Sequence, residues 1–142
     1  MAFQQPDVST IKQLLERTQT IAVVGLSPKT SRPSHQVSAA MQGFGYQITP
    51  IRPATDEVLG ETCYPSLYDL PHPEKIDLVD VFRASEHVDE IVDACIALKL
   101  PTIWLQDGVI NEPAAQRAQE AGITVVMNRC VYRDYMQLGI NK

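Results

Sequence analysis

Between Val8 and Thr18 the apolar residues Val8, Ile11, Leu14 and Leu15 recur at helical spacing, with Asp7 or Ser9 placed to cap the first turn. The next apolar run, Ile21 to Val24, is short, rich in β-branched residues and closed by Gly25, which predicts a buried strand. Helical spacing returns at Val37, Ala40, Met41 and Phe44. Ser34 is the expected cap of that helix, and Gly43 and Gly45 mark its end.

The pattern then repeats. Tyr46 to Ile51 reads as a second strand closed by Arg52 and Pro53, followed by a long proline-containing connection with room for a short helical turn. Ile76 to Phe82 reads as a third strand, and Val88, Ile91, Val92, Cys95 and Ile96 as one face of a helix that Ser85 can cap. "PTIWLQ" predicts a fourth strand, Asn111-Glu112-Pro113 a helix start, Gly122 its stop, and "ITVVMN" a fifth strand before a short segment carrying Tyr132 and Tyr135.

Strands alternating with helices predict an α/β fold: one three-layer domain over residues 1–142, with a five-stranded, mostly parallel sheet and helices on both faces. The expected strand order, counted along the chain, is 3-2-1-4-5.

Composition narrows the function classes. The chain has 142 residues, 44% apolar and 20% charged, as in an ordinary globular protein. A net charge of −5 without a basic run offers no footprint for nucleic acid. No apolar run approaches the roughly 20 residues of a bilayer span, and "MAFQQPDVST" lacks the order of a secretory signal. Cys63, Cys95 and Cys130 are odd in number and match no zinc spacing, so no metal is expected, and reduced thiols in a cytoplasmic protein are.

In an open parallel sheet, ligands bind beyond the carboxyl ends of the strands. That rule selects "GLSPKTSRPS", "PIRP", "FRAS", "LQDG" and "NRC". The first of these leads into a helix, whose unpaired N–H groups and dipole attract anions. Ser27, Thr30, Ser31 and Ser34 add hydroxyls there, and Lys29 and Arg32 add positive charge. For any one of these residues, capping or solvation is the simpler role. Their concentration in one loop favours a phosphate site.

A dinucleotide fingerprint needs further glycines and an acidic residue closing the second strand. Here Gly25 is followed by Leu26-Ser27-Pro28, and Arg52 stands where the acid would be. An arginine suits a ribose phosphate, which disfavours NAD and leaves NADP and coenzyme A open.

The segments "VVGLSPKTSRPSHQV", "GYQITPIRP", "VLGETCYPSLYDLP", "DLVDVFR" and "IWLQDGVINEPAAQRAQEAGITVVMNRC" together resemble the small stand-alone CoA-binding-domain proteins. These are similar in fold to the N-terminal CoA-binding domain of the succinyl-CoA synthetase alpha subunit. The resemblance runs from about Ser9 to Cys130 and implies a Rossmann-like domain holding coenzyme A or an acyl-CoA at the carboxyl edge of its sheet. Carried over by position, Gly25, Leu26, Ser27, Lys29, Arg32, Pro33 and Ser34 would take the phosphates. Ile51, Arg52 and Pro53 would lie near the adenosine and its ribose phosphate, and Phe82, Arg83 and Gln106 would line the rest of the groove. The family usually has asparagine where this chain has Arg52, so the hydrogen bonds at that point differ.

The ligases of that kind also use a phosphorylated histidine and further domains. His35, His72 and His87 have no recognisable triad partner, so no catalytic residue is expected and the module is read as non-catalytic. The alternatives are an NADP-dependent reductase-like domain and a regulatory or interaction module that has lost its ligand. The expected partner is one small nucleotide-like molecule, with no nucleic acid or membrane; a protein partner is left open.

Of the thiols, Cys95 is expected in the core and Cys63 exposed in a loop. Arg129 and Arg133 flank Cys130 and would favour its thiolate; a redox exchange with the coenzyme thiol is the less favoured role there. Asp80 is expected to serve backbone groups at the sheet edge. Asp107 is expected beside ribose, pantetheine or solvent, and Trp104 in the core.

Overall fold

The structure, a computed structural model, describes residues 2–140. Its elements are α1 (Val8–Arg17), β1 (Thr20–Val24), α2 (Pro33–Gly43), β2 (Gln47–Ile51), a hairpin of β3 (Glu57–Val58) and β4 (Glu61–Thr62), β5 (Leu78–Val81), α3 (Val88–Ala97), β6 (Thr102–Leu105), α4 (Glu112–Glu120), β7 (Thr124–Val126) and α5 (Val131–Gln137). The five longer strands form one sheet, parallel at every pairing, in the order β2-β1-β5-β6-β7. This is the expected α/β, Rossmann-like architecture.

The strand order corrects the expectation. The third long strand, β5, pairs with β1 rather than lying outside β2. Two sequence features account for this. All four residues of β5 are buried, as a central strand requires. In β2, Pro50 has no N–H to give, and its carbonyl accepts from the Tyr64 N–H at 3.1 Å on the side away from β1. A full strand placed there would meet a missing donor; a single bridge from Tyr64 does not.

Helices cover both faces. Ile11, Leu14 and Leu15 of α1, Met41 of α2 and Val131 of α5 pack on Ile21, Val23, Ile48, Leu78, Trp104 and Val126. On the other face, Val88, Ile91, Val92 and Cys95 of α3 and Ala114, Ala115 and Ala118 of α4 pack on Ala22, Val24, Val79, Val81, Ile103 and Leu105. Asp7 caps α1 by accepting the Thr10 N–H, and Asn111 caps α4 by accepting the Ala114 N–H.

Three local expectations change. Val8 is exposed, so the buried stripe of α1 begins at Ile11. The residues α2 buries are Ser34, Ser38 and Met41, with Val37, Ala40 and Phe44 only half-buried, so two small polar side chains let the helix sit close to the sheet toward its N-terminal end. Neither serine cap holds. Arg32 occupies the cap position of α2, and a 3-10 turn, Ser85–His87, precedes α3. Ser85 Oγ instead accepts the Ile110 N–H at 2.9 Å.

Candidate binding site at the carboxyl edge of the sheet

The chain connections reverse direction between β1 and β5, which opens a crevice beyond their carboxyl ends. Gly25 leaves β1 there with φ +87°, and a Cβ at this position would collide with the Phe82 carbonyl. The close approach lets the Phe82 N–H reach the Val24 carbonyl at 2.9 Å, while the Gly25 N–H reaches the Ile51 carbonyl at 2.9 Å. The ends of β1, β2 and β5 are thereby locked side by side.

The loop after Gly25 is held by its own hydroxyls. Ser34 Oγ accepts the Ser27 N–H at 3.0 Å, and Ser27 Oγ accepts the Lys29 N–H at 3.1 Å. No side chain caps α2, and Pro33 at its first turn has no N–H to lose. The N–H groups of Ser34 and His35 find no carbonyl within the helix, so the helix start presents donors and positive dipole to the crevice.

A cavity of about 720 Å³ opens over this loop. Of the residues expected from the sequence, Gly25, Ser27, Lys29, Arg32, Pro33, Ser34, Arg52, Phe82 and Gln106 line it. Ile51, Pro53 and Arg83 line a neighbouring cavity of about 280 Å³ that shares Gly25 with the first. Leu26 lines neither: its side chain is fully buried in the core, which leaves only its backbone toward the loop.

The electrostatics of the large cavity are asymmetric. Among the described residues, Lys29, Arg32 and Arg52 make no salt bridge and no side-chain hydrogen bond. The opposite wall is neutralised. Asp107 accepts two bonds from Arg133, at 2.8 and 2.9 Å, which hold its carboxyl below the ordinary carboxylate range. Arg129 is taken by buried Asp134 at 2.6 and 2.9 Å. The two arginines expected to favour a thiolate at Cys130 are therefore both committed to carboxylates, although Cys130 itself lines the cavity.

Beneath the floor lies a buried polar pair. Gln106 Nε2 donates to Asp80 Oδ1 at 2.6 Å, and both residues are almost fully buried. Asp80 is thus not at a sheet edge; it sits in β5, between β1 and β6. Burial pushes its carboxyl up to about 7, against the opposing hydrogen bonds from Gln106 and the Val81 N–H.

Trp104 is core, as expected, and its Nε1 donates to the Arg129 carbonyl at 2.8 Å. Cys95 is also core, its thiol pushed up to about 12 by burial. Cys63 corrects the expectation of an exposed thiol: it is buried, with Sγ 3.5 Å from the Arg52 carbonyl, and burial raises its pKa. His72 pairs with Glu74 and His87 with Glu90, while His35 lies in the first turn of α2. No group of three or more His, Cys, Asp or Glu residues among those described is arranged to hold a metal. No helix among them is long and apolar enough to cross a membrane.

Sequence reasoning did not single out Val37 and Val109 in the large cavity, or Tyr68, Ile91 and Ala94 in the small one. The valines carry no chemical signal of a site. Tyr68, an exposed aromatic in a polar connection, did offer one.

The family model for the CoA binding domain matches residues 19–136. The chain is 43% identical over 129 residues to the uncharacterized protein YneT of Bacillus subtilis (strain 168), covering 91% of this chain and 94% of that protein. It is 27% identical over 131 residues to acetate–CoA ligase [ADP-forming] I of Archaeoglobus fulgidus, covering 85% of this chain but 19% of the ligase. A hypothetical protein from Pyrococcus horikoshii OT3 superposes with a TM-score of 0.88 at 36% identity, covering 94% of this chain and 92% of that one. With its sheet, its crevice and these matches in agreement, the chain belongs to the CoA-binding domain family.

Proposed function

We propose that this chain is a cytoplasmic module, one domain over residues 1–142, that binds coenzyme A or an acyl-CoA without chemistry of its own. The phosphates lie over the loop from Gly25 to Ser34, within reach of Lys29 and Arg32. The ribose phosphate meets Arg52, and Ile51, Pro53 and Arg83 flank the adenosine. The remainder of the ligand runs past Phe82 and Gln106 toward Asp107.

The observation that carries this reading is the set of three cations, Lys29, Arg32 and Arg52, left without carboxylate partners among the described residues and set around an uncapped helix start. Arg117, Arg129 and Arg133 each hold a carboxylate, while Arg17 and Arg83 lie outside the large cavity and are also unpaired among the described residues. Positive charge kept free at a helix N-terminus is the arrangement that receives phosphate.

Calorimetry with coenzyme A, dephospho-coenzyme A and NADPH tests the reading. Binding of coenzyme A, weaker binding of dephospho-coenzyme A and no heat from NADPH is the expected result. Binding of NADPH alone replaces it with an NADP-dependent reductase-like domain. No binding of any of the three replaces it with a regulatory module that has lost its ligand.

A further inference from the structure

The proposed phosphate site leaves Asp80 and Gln106 unexplained. A carboxylate buried in a central strand is costly, and one carboxamide and one backbone N–H are small compensation. Yet Gln106 reaches from this carboxylate to the cavity lining, so the pair connects an almost fully buried acid to the cavity surface.

The hydrogen-bond inventory makes the connection directional. An ionised carboxylate only accepts, so it draws the Gln106 amide nitrogen toward itself. The Gln106 carbonyl oxygen then has no donor among the described residues and keeps some accessible surface, in a residue that lines the cavity. A protonated carboxyl can instead donate to that carbonyl oxygen, which requires the amide to turn over and present Nε2 to the cavity.

We propose that Asp80 is a positioning residue that, through Gln106, decides whether the cavity floor offers the ligand a hydrogen-bond acceptor or a donor. The ionised state offers an acceptor, suited to a hydroxyl or amide N–H of the ligand. On the coenzyme reading, on which this inference rests, such donors belong to the pantetheine arm. The protonated state turns the point into a donor and weakens that contact.

The surroundings of Asp80 leave it free to act in this way. Its strand neighbours in register, Val23 and Trp104, carry no charge, and β1 and β6 contain no ionisable residue. On the helices covering that face, the ionisable groups are Lys12, Glu16 and Arg17 of α1, His35 of α2, and Tyr132, Arg133, Asp134 and Tyr135 of α5. The loops add Lys29, Arg32, Arg52, Asp107, Arg129 and Cys130. None of these sets the raised pKa of Asp80, which comes from burial. A proton on His35 would draw phosphate in, so its influence on binding has the opposite sign.

The experiment uses dephospho-coenzyme A, which lacks the phosphomonoester whose own titration near pH 6 would intrude. Affinity is measured by calorimetry from pH 6 to pH 8, in buffers of different ionisation enthalpy. In the parent protein, binding should weaken by up to about tenfold from pH 8 to pH 6 and release about half a proton at pH 7, as for one group titrating near 7. Asp80→Asn, whose amide can donate permanently, should bind as weakly at pH 8 as the parent does at pH 6, with no proton release. Gln106→Met should also lose the pH dependence, which covers the case that Asp80→Asn fails to fold. Retention of the parental pH profile and proton release in either variant overturns the proposal.

A ligand-free measurement separates this inference from the coenzyme reading. The side-chain ¹⁵N resonance of Gln106 should titrate near pH 7 in the parent and stay still in Asp80→Asn; a stationary signal in the parent overturns the proposal. A parent that binds no dephospho-coenzyme A at any pH, while that resonance still titrates, overturns the coenzyme reading and keeps the coupled pair.

Discussion

Ser34 Oγ accepts the Ser27 N–H at 3.0 Å across seven residues of the loop, and both residues are buried. A single hydroxyl on the first turn of α2 thus holds the loop that leaves β1, and it does so without capping its own helix. The local chemistry of a serine at a helix start has been diverted to shaping a binding surface.

Ser34→Ala should therefore act on both stability and binding. It strands a buried N–H, at a cost of about 1–3 kcal/mol, and loosens the loop. A lower denaturant midpoint together with weaker coenzyme A binding is expected. A midpoint equal to that of the parent would show that the bond is dispensable.

Arg32→Glu and Arg52→Glu should each weaken coenzyme A binding by about tenfold or more, since charge-assisted hydrogen bonds contribute roughly 1.5–3 kcal/mol. The penalty at Arg52 should shrink when dephospho-coenzyme A is the ligand, and the penalty at Arg32 should not. Affinity should also fall as salt rises, because Arg32 is exposed and Arg52 only half-buried. Undiminished binding by both variants would place the phosphates elsewhere.

Gly25→Ala should destabilise by at least roughly 1–3 kcal/mol, the cost of a strained backbone position, because its Cβ also meets the Phe82 carbonyl. Gly45→Ala supplies the comparison: φ there is +108°, but nothing lies within 4 Å of the added carbon. Urea denaturation should show the larger loss at Gly25, and equal losses would mean that the contact with Phe82 is easily relieved.

Asp80 makes stability depend on pH in a defined sense. Its folded value is raised to about 7, above the ordinary carboxylate range, so the folded state holds a proton that the unfolded chain has released. The stabilisation is complete below pH 4 and is lost, at about 1.4 kcal/mol per pH unit, as pH rises from there toward 7. Denaturation of the parent and Asp80→Asn from pH 4 to pH 8 should show the variant gaining steadily on the parent until about pH 7. Parallel curves would mean that Asp80 titrates as an ordinary carboxylate.

Much of the site was legible in the chain. Gly25, the serines and the cations after β1 mark the loop over which the large cavity opens, because strand-to-helix turns in parallel sheets leave donors unpaired at one edge. Leu26 shows the limit of reading by position: it lies within the loop, but its side chain turns into the core. The strand order had a signal in Pro50, whose missing N–H marks the outer side of β2.

The sequence by itself determined the alternation of elements, the parallel sheet with helices on both faces, and the sign of charge the first loop presents. These follow from periodicity and from chemistry within a few residues. Only the tertiary structure decided which arginines stay free: Arg133 finds Asp107 from 26 positions away, while Arg32 and Arg52 find no carboxylate among the described residues. It likewise decided that Asp80 and Gln106, also 26 apart, share a hydrogen bond below the cavity. Periodicity reports which face of an element is buried; it carries no information on which strand lies beside it, and that neighbour sets the charge and the proton affinity of the site.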